Sequence, residues 1–75
     1  MLIQINFQCT DNFGSWQSNR SGFADSDESA IVWANKEIAY ARKRFSDITF
    51  TNVTLVEPDL SPMFEHGDRF ISTIQ

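Results

Sequence analysis

Cysteine and histidine each occur once in this 75-residue chain, proline twice and glycine three times. Each scarcity excludes something. With Cys9 alone, no internal disulfide can form and a cysteine-based zinc site is ruled out. A secreted domain this small is usually stapled, so a reducing cytosol is the expected home. A lone His66 makes no histidine pair of the kind that metalloenzyme helices carry. Gly14, Gly22 and Gly67 are too scattered to build a loop that cradles phosphate. No apolar run is long enough to cross a bilayer. The start, Met1-Leu2-Ile3-Gln4-Ile5-Asn6, lacks the basic segment of a signal peptide. No cofactor, no metal and no membrane association is expected.

What the chain does have is aromatic side chains. Seven phenylalanines, two tryptophans and one tyrosine, in a sequence that is 41% hydrophobic, argue for a folded domain rather than disorder. At this length one domain spans residues 1–75, and it buries only about 60–65% of the surface its unfolded chain exposes. The core is therefore thin, and a deep, dry catalytic pocket is hard to build. A net charge of −4 favours solubility and mildly disfavours nucleic acid, whose phosphates call for clustered Lys and Arg.

The pattern of residues predicts the order β-β-α-β-β, a small, mostly antiparallel sheet with one helix packed on one face: an α+β fold. Residues 2–10 alternate, with Ile3, Ile5, Phe7 and Cys9 on one side and Gln4, Asn6, Gln8 and Thr10 on the other. The polar side leaves one sheet face open to water or to a partner. Asp11-Asn12-Phe13-Gly14 reads as a turn. The return through Trp16, and on to Phe23, is weak, because Ser18-Asn19-Arg20-Ser21-Gly22 has poor β-propensity and is prone to loop out.

Ser26 or Asp25 caps a helix running to about Arg44, with acids in its first turn and Arg42, Lys43 and Arg44 in its last. Ile31, Ala34, Ile38, Ala41 and Phe45 form its apolar stripe. Residues 47–57 are rich in β-branched side chains and predict a strand. Ile48 and Phe50 share one phase, Val53 and Leu55 the other, and a bulge at Thr51–Asn52 reconciles them. Residues 69–74 predict a last short strand with Phe70 and Ile74 on one face.

Between those strands lies Glu57-Pro58-Asp59-Leu60-Ser61-Pro62-Met63-Phe64-Glu65-His66-Gly67-Asp68. Its acids and His66 do not follow a metal-binding spacing. The plainer reading is a connector whose Pro58 ends one strand and whose Met63 or Phe64 pins it to the core. Its functional reading is a binding loop, with Asp59, Phe64 and Glu65 in contact with a partner. Cys9, on the apolar side of its strand, reads as a small hydrophobe rather than a nucleophile paired with His66.

The helix flank offers the other surface. Trp33 and Tyr40 stack to one side of the core stripe, with Glu37 and Arg44 between and below them. Tyr40 and Arg44 are spaced for a cation–π contact. Trp, Tyr and Arg are enriched at interface hot spots, so Trp33, Glu37, Tyr40 and Arg44 are the first partner-binding set. The bland alternative has Trp33 leaning sideways to cover the sheet rim. A nucleic-acid site would use Trp16 and Arg20, on one face of a strand, with Lys36, Arg42 and Lys43. The ordinary reading of those helix cations is a solvated face that complements the dipole.

A short polar hairpin, a helix opening on Ser26-Asp27-Glu28-Ser29-Ala30 and a β-branched strand at Ile48–Glu57 together resemble the small ββαβ proteins that bacteriophages use against host machinery. Anti-CRISPR inhibitors and inhibitors of host RNA polymerase are among them. The resemblance is one of architecture and carries over no residue. It implies a non-enzymatic inhibitor that works in the host cytoplasm. Such a protein occupies a surface on a host protein complex, and the moderate acidity of this chain suits a complex that handles nucleic acid and is itself basic. The alternatives are a nucleic-acid-binding module and a homodimer paired through the open sheet edge.

Overall fold

The computed structural model describes residues 1–59 and 67–75. Strands β1 (Leu2–Asp11) and β2 (Gly14–Phe23) form a hairpin, helix α1 (Asp27–Arg44) follows, and β3 (Thr49–Glu57) and β4 (Arg69–Thr73) complete the chain. All pairings are antiparallel and the sheet order is β2-β1-β3-β4. The helix lies against one face, an α+β fold of the expected element order.

The hairpin closes on Asp11, whose Oδ1 accepts from the backbone N–H of Phe13 at 2.8 Å and of Gly14 at 3.1 Å. Gly14 takes φ 150°, a backbone setting that favours glycine. From there β2 pairs with β1 without interruption from Asp11↔Gly14 to Leu2↔Phe23. The weak return is thus a full ten-residue strand. A central strand with a strong alternating pattern imposes its register on a neighbour of poor propensity.

Ser26 is the N-cap. Its Oγ accepts from the Ser29 N–H, and the Ser29 hydroxyl accepts from the Ser26 N–H, each at 3.1 Å, a reciprocal capping box. At the other end the Phe45 N–H bonds the Ala41 carbonyl at 2.9 Å. The buried stripe is Ala30, Ala34, Ile38 and Ala41, with Ile31 and Phe45 only partly buried beside it. The expected stripe is therefore turned by one residue at its start. Alanines at the centre let the helix approach the sheet closely, and larger residues flank the seam.

Ile3, Ile5, Phe7 and Cys9 of β1 face the helix and join Phe50, Val53, Leu55 and Ile74 in the core. Phe7 and Phe50 meet edge to face, with ring centroids 5.6 Å apart. Phe50 and Val53 share that face because the β1–β3 register shifts between Asn6 and Gln8, opposite Asn52 at φ 53°. The bulge lies where the sequence places it. A second irregularity corrects the sequence reading of the last strand. Leu55 pairs with Ser72 and Val56 with Phe70, so Ile71 is an extra residue. Phe70 consequently turns to the open face with Val56, while Ile74 is buried on the helix side.

Candidate functional site

The residues expected to form a helix-flank patch are divided by the structure. Trp33 leans over the sheet rim onto Gly22 of β2 and is half-buried. Glu37, one turn on, accepts from Arg20 Nη1 at 3.2 Å, also across to β2. Arg44 does not stack on Tyr40: its guanidinium lies over Phe45, 5.7 Å from the ring centroid. The helix C-cap turns Phe45 back beneath Arg44, where it competes for the cation. Tyr40, at 56% exposure, stands out beside the exposed Arg44, while Trp33 and Glu37 are half-buried. Asp59 sits at the base of the connector, where its N–H bonds Asp68 Oδ1 at 3.2 Å. Phe64 and Glu65, with Met63 and His66, lie outside the described residues.

Trp16 and Arg20 do share a face of β2, the helix side, opposite Cys9 and Ile5. With Phe7, Ser18, Ala41, Phe45, Ile48 and Phe50 they wall a cleft of ≈ 210 Å³ beneath the helix C-terminus. Cys9 lines its floor. Burial pushes that thiol up from its ordinary pKa, which keeps it protonated and a poor nucleophile. Arg42, placed with a nucleic-acid surface by the sequence, stays exposed but bends back along the sheet edge. Its Nη1 donates to the Gln75 carbonyl at 3.1 Å and its Nη2 to the Phe50 carbonyl at 3.3 Å. Lys36 and Lys43 are exposed on the outer helix face.

A different surface, not singled out by the sequence, lies where Leu2, Phe23 and Glu57 end. On the open face there, Leu2 pairs with Phe23, while Gln4 pairs with Val56 and Val56 with Phe70. Phe23 is 79% exposed and Phe70 59%. Acids lie in the segments that meet at this end: Asp25, Asp27 and Glu28 at the start of α1, and Glu57, Asp59 and Asp68 beside the ends of β3 and β4, with Asp27 and Glu57 on the helix side. Arg69 is the cation among them. Its Nη2 and Nη1 clamp Asp27 at 2.7 and 3.0 Å, and its Nε reaches Glu57 at 2.9 Å. Leu2, Glu57, Pro58, Asp59, Gly67 and Arg69 line a polar hollow of ≈ 310 Å³ at the same end. The signal for Phe23 was available. A two-residue turn at Asn12-Phe13 places it opposite Leu2, on the polar side of the alternation.

The rest of the open face is uncharged: Gln4, Asn6, Gln8 and Thr10 of β1, flanked by Ser15, Gln17, Asn19 and Ser21 of β2 and by Thr49, Thr51 and Thr54 of β3. Among the described residues no three of His, Cys, Asp and Glu come together as metal ligands. No described helix is long and apolar enough to cross a membrane. No family model matches this chain, and neither a curated protein nor a solved structure matches it.

Proposed function

We propose that this chain is a non-enzymatic protein-binding module whose acidic, phenylalanine-bearing end docks on a basic, partly apolar surface of a partner protein. The observation that carries the reading is the exposure of Phe23 and Phe70 on the open face at one end of the sheet, the end where Asp27 and Glu57 gather on Arg69. Large apolar rings rimmed by charge are the usual makings of a hot spot. The carboxylates at this end speed encounter with a basic partner and reject acidic ones. Asp59 belongs to this surface, and Tyr40 is a separate exposed anchor on the helix. In its full form the reading is an inhibitor encoded by a phage or mobile element. It works in the host cytoplasm by covering a surface that a host complex needs for nucleic acid.

The nucleic-acid alternative has less to draw on. Arg20 is engaged by Glu37 and Arg42 by two carbonyls, so two of its four cations, Arg20, Lys36, Arg42 and Lys43, already have partners within the chain.

The test is capture from bacterial lysate with the wild type, a Phe23→Ser/Phe70→Ser variant and a Lys36→Glu/Lys43→Glu variant. A specific protein held by the first and third, and lost by the second, supports the reading. Capture undiminished in the phenylalanine variant overturns it. Salt-sensitive binding of labelled DNA or RNA, abolished by the lysine variant, would transfer the function to the alternative.

A further inference from the structure

The two edges of this sheet are built differently. β4 is five residues long and is interrupted by the extra residue Ile71. β2 is ten residues long and keeps an unbroken register with β1 along its whole length. Among the described strands nothing pairs with its outer side. Soluble proteins ordinarily protect such an edge with lysine, proline, a bulge or a covering element. β2 has no lysine, no proline and no bulge. Its one charge, Arg20, is drawn toward the helix by Glu37. The remaining side chains are uncharged, so no like-charge repulsion keeps another strand away.

We propose that β2 is a self-association edge. Two copies of this chain pair β2 to β2 antiparallel about a two-fold axis at Ser18, joining their sheets into one of eight strands. The occupant follows from the side-chain pattern. Antiparallel partners share a face, so a two-fold axis through Ser18 sets Trp16 opposite the second copy's Arg20, and Arg20 opposite the second copy's Trp16. Arg20 keeps its bond to Glu37 and, with 40% of its side chain still exposed, offers the rest of the guanidinium to the second copy's indole; it never meets its own copy. On the open face Gln17 meets Asn19, an amide pair able to exchange hydrogen bonds. Trp16, now 43% exposed at the mouth of its cleft, is covered by the neighbouring copy. The inference is argued from residues 16–20 alone, though its register also brings Phe23 opposite the second copy's Phe13, at the edge of the docking end.

The experiment is light scattering across a concentration series, with circular dichroism to confirm folding. The wild type reaches twice the monomer mass. Gln17→Lys/Asn19→Lys stays monomeric, because the proposed register sets lysine against lysine in both symmetry-related pairs. Thr49→Lys/Thr51→Lys adds the same charge to the open face away from the edge and keeps the dimer. In a Cys9→Ala background, Ser18→Cys forms a disulfide-linked dimer on mild oxidation, because the axis passes through that residue. A wild type that remains monomeric overturns the proposal. So does a dimer that survives both edge lysines, or a Ser18→Cys variant that fails to cross-link.

Discussion

The indole of Trp33 lies so close over Gly22 that a Cβ added to the glycine would sit 2.6 Å from Cζ2 and 2.8 Å from Cε2 of the ring. That contact is shorter than carbon atoms tolerate, and it fixes the identity of both residues. Glycine at this point in a strand is there because another group needs the space. Gly22→Ala therefore forces the ring off the sheet and costs about 1–3 kcal/mol. Trp33→Ala opens the same seam and costs about 3 kcal/mol, the low end for a tryptophan, because the ring is only half-buried. The double variant should cost clearly less than the two single costs added, since without the ring the alanine methyl has room. Urea midpoints at unchanged slope measure all three. Simple additivity would show that the two residues do not touch.

Arg69 holds three elements together from the start of β4, through Asp27 on α1 and Glu57 on β3. The hydrogen bonds from Arg69 hold the Asp27 carboxyl below its usual range. The charge of Arg69 adds to this and burial opposes it. Arg69 in turn is held more firmly protonated by its bonds to Asp27 and Glu57. Because the folded-state pKa of Asp27 is depressed, the stabilisation is fully present at neutral pH. It is lost as pH falls below about 4, the unfolded carboxylate value, and through the folded one. Arg69→Gln should therefore unfold at higher pH than the wild type in an acid titration followed by circular dichroism. Arg69→Lys should recover only part of the difference, since an ammonium cannot reproduce the two-pronged contact. Superimposable acid profiles for wild type and Arg69→Gln would remove the linkage.

These two contacts also show which features a sequence of this kind reveals. The alternation of Ile3, Ile5, Phe7 and Cys9 is local, and it settles which face of β1 is buried. The cap at Ser26 and the phase change at Asn52 are local as well, and all three are readable along the chain. The role of Trp33 is not, because Gly22 decides it from another strand. Seen on a helical wheel, Trp33, Glu37, Tyr40 and Arg44 make one patch. Gly22 and Arg20 take the first two into the fold, and Phe45 takes the last. The face of Phe70 is hidden from the sequence for a related reason. One extra residue, Ile71, reverses the face of everything before it in β4, and nothing in the local sequence marks the irregularity.

Asn52 sets the phase of β3, and its backbone makes it a sharp test of that role. Among the described residues it is the one non-glycine with a positive φ, 53°. Asparagine tolerates this region because its short side chain can bond nearby groups, and here Nδ2 donates to Gln8 Oε1 at 3.1 Å. Asn52→Gly keeps the backbone relaxed and loses only that exposed bond, so its stability should stay close to the wild type. Asn52→Val places a β-branched residue where the left-handed conformation alone costs about 1–2 kcal/mol, and the loss should be at least that. Deleting Asn52 is more severe. It removes the extra residue and turns Val53 and Leu55 toward the polar face, opposite Phe50 in phase. The deletion should abolish cooperative thermal unfolding. A deletion variant that melts like the wild type would mean that the bulge can form elsewhere in β3, and that Asn52 does not set its position.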